Sequence, residues 1–319
     1  MTLRAPGWKR GGKQSPKSSL SVQLWYVYVP LTMLCVTSPP LAARSRQGPF
    51  LPASKIHQMV RNVAWNELHA SEHPSHYYSY IERNTLPDGS STVEEIATPH
   101  GSVDRLIEVD HHTPDSRQLA QNQALLNQLP DDRQLQQSRF KDQQKDRQRR
   151  DNVLKDIPQA FIYTYAGSDP RGRIMLKFQP APGFEPSSRQ SLILQGMAGE
   201  LWVDPSAQRI VKISGTLIKD VKIGWGFLAR LSQGGTFRME QSQGPDGTWH
   251  QKLLSVQFDG TVLVFKHIQI RVRQIRCCFE RVPDNLSIEE AVHLLEARAN
   301  LPQDWQTRLE AVQKAAPVD

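Results

Sequence analysis

Residues 195–272, QGMAGELWVDPSAQRIVKISGTLIKDVKIGWGFLARLSQGGTFRMEQSQGPDGTWHQKLLSVQFDGTVLVFKHIQIRV, decide the fold. Strand follows strand here, separated by Gly, Asp and Pro turns. Val211, Ile213 and Leu217 alternate with Lys212, Ser214 and Thr216, Phe237 and Met239 alternate with Arg238 and Glu240, and Leu254, Val256 and Phe258 continue the pattern. A period of two over several strands means one covered face and one wet face. The expectation is an α+β protein built on a curved antiparallel sheet. Val262, Val264, Ile268, Ile270 and Val272 extend the pattern as one longer strand, with Leu263 and Phe265 on the opposite side. That part is expected to be buried on both faces.

Outward from this core, Ser54 to Ala70 sets Ile56, Met59, Val60, Val63, Ala64 and Leu68 on one helix side, with Ser54 as the N-cap. Tyr77–Thr85, Ser91–Thr98 and Gly101–His111 read as a three-strand meander around the turns Pro87-Asp88-Gly89 and Pro99-His100-Gly101. Phe161–Tyr165 and Ile174–Phe178 form a hairpin, and Pro180 to Pro186 is a rigid crossing segment. Residues 115–156 differ in texture. Within 130–151 only Leu135 and Phe140 are large and apolar, among seven basic and five acidic side chains. This charged helical insertion reads as a solvated helix face or a mobile excursion. The C-terminal helical segment 286–316 opens on a capping box, Ser287 to Glu290.

The formal charge of +7 would suggest an anionic partner, but five of the basic residues, Arg4, Lys9, Arg10, Lys13 and Lys17, precede Ala43 with no acidic residue beside them. Without them 34 basic side chains face 32 acidic ones. Residues 1–43 have the order of a secretory leader: a basic start, an apolar run from Leu24 to Val36, and small residues for cleavage near Ala42 or Ala43. The run is about 13 residues long and contains Pro30, short of the roughly 20 that span a bilayer. The expected product is one domain, residues 44–319, periplasmic or secreted, without an integral membrane span. A retained leader acting as an anchor is the alternative. Nucleic acid is not an expected partner, because the charged run mixes both signs. Cys277 and Cys278 read as two small hydrophobes, since neighbours in a strand point to opposite faces.

His69-Ala-Ser-Glu-His73 matches H-x-x-E-H, in which two imidazoles one turn apart hold zinc and the glutamate activates water. Pro74 directly after it disfavours the helix this needs. His111-His112 sit at a strand end with diverging side chains. No nucleophile elbow, P-loop, dinucleotide fingerprint or paired cysteine ligands occur. No cofactor, metal or catalytic residue is therefore expected. In Gly224-Trp-Gly-Phe-Leu-Ala-Arg-Leu231, glycines permit a sharp change of direction while Trp225, Phe227, Leu228 and Leu231 crowd together. The segment reads either as a lid over a pocket or as a crossover capping the sheet edge.

The N-terminal helix, the meander, the hairpin, Gly199-Glu-Leu-Trp-Val-Asp204 entering Arg209-Ile-Val-Lys-Ile213 and the final long strand together resemble the periplasmic lipoprotein-carrier superfamily, the Lol-type fold. In detail the chain is similar to a group of secreted bacterial proteins without assigned function, through Asn66–Ala70, Phe178-Gln-Pro-Ala-Pro-Gly-Phe184, Gly199–Asp204 and residues 224–237, while the charged insertion and the segment 224–231 depart from the carriers. The resemblance implies an unclosed β-barrel covered by helices, with a concave apolar cavity for acyl chains. The expected function is non-catalytic binding or carriage of a lipid, acyl chain or lipoprotein. The lining would be Val211, Ile213, Leu217, Phe237, Met239, Leu254 and Val256, with Trp225 and Phe227 near a mouth. Two alternatives stand beside it. One is an envelope interaction or stress-sensing module with a filled core, its charged helix docking a protein partner. The other is a metal-dependent hydrolase centred on His69, Glu72 and His73.

Overall fold

In the computed structural model, residues 51–315 are described apart from 73–76, 86–88, 224–227, 245, 264 and 299–303. His73, Trp225, Phe227 and the leader lie outside the described residues. Helix α1 (Ala53–Glu72) is followed by β1 (Tyr77–Thr85), β2 (Gly89–Thr98) and β3 (Gly101–Val109). Helices α2 (Ser116–Gln128) and α3 (Arg133–Ala160) lead to the hairpin β4 (Phe161–Ser168) and β5 (Ile174–Pro180). A 3-10 turn, Gln190–Gly196, precedes β6 (Met197–Asp204), β7 (Arg209–Leu217), β8 (Val221–Ile223) and β9 (Ala229–Leu231). Strands β10 (Thr236–Gln243), β11 (Trp249–Val262) and β12 (Lys266–Arg281), then helices α4 (Ile288–Ala297) and α5 (Trp305–Ala315), complete the chain.

The strands make one antiparallel sheet in the order β3-β2-β1-β12-β11-β10-β7-β6-β5-β4, with β8 and β9 joined to the end of β11. It does not close, so the architecture is α+β with an unclosed, barrel-like sheet. Cross-strand register defines two faces. On the front, Leu176 pairs with Leu201, Leu201 with Ile213, Ile213 with Met239 and Met239 with Leu254. On the back, Leu253 pairs with Ile275.

Each end of the sheet buries a different face. At the β4–β7 end, Leu176, Leu201, Val203, Ile210 and Leu217 form a front core with Ile56, Val60 and Val63 of α1 and Ile157 of α3. At the β1–β3 end, Tyr78, Tyr80, Ile96, Val103 and Ile275 form a back core with Leu126 of α2, Leu295 of α4, and Trp305 and Leu309 of α5. Tyr80 stacks on Trp305 with ring centroids 5.3 Å apart.

Several local expectations change. Helix α1 starts at Ala53, because the Pro52 carbonyl already accepts from Ile56 N–H at 3.1 Å, so Ser54 lies inside the first turn. Residues 115–156 are helical, and the charged stretch within 130–151 is mostly exposed. A capping box of Asp115 and Gln118 starts α2, Asp132 accepts from Leu135 N–H to start α3, and α3 runs on to bury Asp156, Ile157 and Ala160. The stretch expected as one strand from Val262 to Val272 is instead a reversal: β11 ends at Val262 and β12 begins at Lys266. Leu263 takes a left-handed φ of 51° in that turn. Leu263 and Phe265, expected to be covered, are 56% and 80% exposed.

The cysteines also depart from expectation. Tyr78 pairs with Glu280 but Tyr80 with Cys277, so two residues of β12 face one of β1 in a bulge. Cys278 sits there at φ 63°. The bulge breaks the alternation on which the reading of opposed thiols rested, and Cys277 and Cys278 are joined as a disulfide. The pair packs on the back core beneath Trp305.

Candidate functional site

The residues expected to line a cavity meet on the front face, in the strands between the two cores. Ile213, Phe237, Met239 and Val256 are half-buried and pack against the rim of the front core, and Leu254 beside them is also half-buried. Register makes them one apolar strip: Ile213, Met239 and Leu254 form one row, and Phe237, Val256 and Val272 the next. Leu217 is fully buried within the front core instead. Val211 is half-buried at the irregularity of β7, where Trp202 pairs with Lys212 but Val203 with Ile210.

The strip continues further than the sequence reading placed it. Val262, Ile268, Ile270 and Val272 alternate onto the front face of the β11–β12 hairpin, with Phe258 opposite Ile270. Thr261, Asp259, Gln257 and Ser255 face back, opposite His267, Gln269, Arg271 and Arg273. Their period of two was the available signal. Reading a single strand through residues 262–272 hid the pairing.

The front core is held in place by Asn66-Glu67, the start of the motif at 66–70. The Glu67 carboxylate accepts from Arg209 at 2.9 and 3.0 Å, from Ile210 N–H at 2.9 Å and from Gln241 at 2.7 Å. Asn66 donates to Gln208 O at 3.1 Å. Helix α1 is thereby clasped to the β6–β7 turn and to β10. Asp204 shapes that turn by accepting from the backbone of Ser206 and Ala207, and these hydrogen bonds hold its carboxyl below the ordinary range.

Neighbouring carboxylates of β2 are buried on opposite faces. On the back, Glu94 has no exposed surface and accepts from Tyr78 and Arg105. Arg105 also donates to Leu295 O at 2.6 Å and Arg298 O at 2.8 Å, so one guanidinium ties β2 to the carbonyl end of α4. Burial and the Glu94 hydrogen bond push the Tyr78 hydroxyl up to about 12. On the front, Glu95 accepts from Arg83 at 2.9 Å and lies 3.6 Å from Arg276. Burial pushes its carboxyl above the ordinary range against the pull of those arginines. Both carboxylates are held by arginines, and on the back the pairing reaches the backbone of α4, which is the chemistry of a strut.

A cleft of about 230 Å³ opens on the back of β6, β7, β10, β11 and β12. Its central row is Glu200, Ser214, Arg238, Ser255 and Arg273, each paired with the next. Arg238 is engaged by Glu240 at 2.7 Å. The walls offer hydroxyls, guanidinium groups and the Glu200 carboxylate.

His69 and Glu72 are exposed at the end of α1, 3.8 Å apart. Among the described residues no group of three His, Cys, Asp or Glu could hold a metal ion. His112 turns back on Asp110 O at 2.6 Å instead of meeting His111. No described helix is long and apolar enough to cross a membrane. No family model, curated protein or solved structure matches this chain.

Proposed function

We propose that this chain is a non-catalytic protein of the cell envelope that binds an acyl chain or lipid along the front of β7, β10, β11 and β12. One observation carries the reading: Ile213, Phe237, Met239, Leu254 and Val256 are contiguous, apolar and only half-buried, whereas the apolar rows of the front face at the β4–β7 end are sealed under α1 and α3. Half-covered apolar surface of this extent is unfavourable in water and favourable against an alkyl chain. Each CH₂ laid on it contributes about 0.8 kcal/mol, enough to lift a chain from water and weak enough to release it. The resemblance of the order of elements and of Gly199–Asp204 entering Arg209–Ile213 to Lol-type carriers supports the same reading, and the leader at 1–43 would deliver the protein to the periplasm.

The mechanism is burial without bond chemistry. The Glu67 clasp holds the front core rigid while the strip on β10 and β11 stays accessible. Native mass spectrometry of protein purified without detergent, followed by solvent extraction, tests the proposal. Lipid adducts, and displacement of an apolar fluorophore by long-chain fatty acid, are expected. A clean apo mass together with no displacement overturns it.

A further inference from the structure

We propose that the end of the sheet built from β8, β9 and the β11–β12 turn docks on an anionic membrane surface. Three large apolar side chains meet there in the open: Phe265 at 80%, Leu263 at 56% and Leu228 at 47% exposure. They are neighbours, because β9 pairs with the end of β11, Ala229 opposite Val262, and Leu263 N–H donates to Leu228 O at 3.2 Å. Among the described residues the other exposed large apolar side chains are Trp65 on α1, Leu119 on α2, Ile162 on β4, Ile218 just after β7 and Ile270 on β12. Isolated exposures of that kind are ordinary on protein surfaces, whereas a cluster at a projecting turn marks a contact.

Charge decides the occupant. In the described residues of 218–231 and 259–271, Lys219, Lys222, Arg230, Lys266 and Arg271 face only Asp220 and Asp259. Both acids are engaged by arginines, Asp220 by Arg230 and Asp259 by Arg271. The exposed Lys219, Lys222 and Lys266 therefore leave the tip net positive around its apolar point. Apolar residues that enter the acyl boundary, ringed by long basic side chains at headgroup depth, are the arrangement an anionic bilayer surface attracts. Ile268 and Ile270 lead from this tip back along the front face toward the strip, so lipid met at the tip has an apolar path inward. The docking itself does not require that the strip hold a ligand.

Co-sedimentation of the full chain with vesicles tests this, comparing phosphatidylglycerol mixed with phosphatidylethanolamine against neutral phosphatidylcholine. The chain is expected to prefer the anionic vesicles and to be released by salt. Phe265→Ser with Leu263→Ser should weaken binding at least about tenfold, the loss expected for two side chains that no longer leave water. Lys222→Glu with Lys266→Glu should abolish the preference for anionic lipid, and Ile162→Ser should change nothing. All these positions are exposed, and an unchanged thermal midpoint confirms that each variant folds. Equal sedimentation of the Phe265/Leu263 variant and the parent overturns the proposal. So does a parent without lipid preference, or a parent dimer in analytical ultracentrifugation that the tip variant dissolves, which would assign the patch to a second copy. Met239→Glu keeps vesicle binding while losing ligand on the strip, so failure of this inference and failure of the proposed function read out separately.

Discussion

At the β4–β7 end, the front of the sheet is sealed by aliphatic side chains of α1 and α3, with Glu67 clasping the helix from the rim. At the β1–β3 end, the back is sealed by α2, α4 and α5 around Glu94, a carboxylate with no exposed surface. A sheet that buries opposite faces at its two ends must change sides somewhere between. The change falls on β10 and β11: Leu253 enters the back core while Leu254, the next residue, remains half-covered on the front. The apolar strip is thus where neither set of helices reaches.

The largest effects should come from the two cores. In the back core, Glu94→Ala leaves the half-buried Arg105 without its carboxylate and removes the acceptor of Tyr78, at an expected cost of about 3 kcal/mol in urea unfolding. Hydrogen exchange on that variant sharpens the comparison. If the ends are separate units, α4 loses protection while α1 and α3 keep theirs; a loss spread evenly over both would show one cooperative core. In the front core, Leu201→Ala removes a side chain only 1% exposed and should cost about 2–5 kcal/mol, with the protection pattern reversed.

Smaller effects separate the strip from both cores. Met239→Glu should change stability by only about 1 kcal/mol, yet lower the affinity for an apolar fluorophore at least about tenfold. A stability loss as large as that of Leu201→Ala would mean that the strip is simply core. The mildest test uses His250, which is 4% exposed and stacks on Phe279 at 4.1 Å near Tyr77. Burial holds its imidazole below the ordinary 6.5, against the opposing pull of Asp246. The unfolded chain therefore binds this proton more readily, and stability present above pH 6.5 declines as pH falls toward the lowered value, by at most about 1.4 kcal/mol per pH unit. Glu95 and Glu82, raised by burial, act with the opposite sign from the carboxylate range upward, and remain in a His250→Gln variant. Between pH 7 and 5 the thermal midpoint should consequently fall less, or rise more, on acidification in that variant than in the parent. Identical slopes would exclude His250 as a contributor.

The sheet was legible because alternation such as Val211/Ile213 against Lys212/Ser214 is written over many residues. The capping boxes at Asp115 and Ser287 mark helix starts; only the latter was read. What escaped detection was local and depended on partners distant in sequence. A bulge is one extra residue with no pattern of its own, so the side change at Cys277-Cys278 is visible only against Ser79, nearly two hundred positions away. The reversal at Leu263 carries neither Gly nor Pro, and its Val-rich flanks read as uninterrupted strand. Helix α3 looked solvated because its buried residues, Asp156, Ile157 and Ala160, lie only in its last turns. For the candidate site, the front-facing members were readable from period two, while Leu217 and Val211 depended on where helices and an irregular pairing fell.

The pairing of β1 with β12 sets the order of events in folding. Tyr77 meets Arg281, and Arg105 reaches the carbonyl of Leu295, so the first strands of the domain have no neighbour on one side until almost the whole chain is present. Contacts this remote in sequence close slowly, because the entropy of a long loop is lost before the pairing repays it. A chain made N-terminus first holds its meander β1–β3 incomplete until β12 arrives, with the last two helices acting as the completing step.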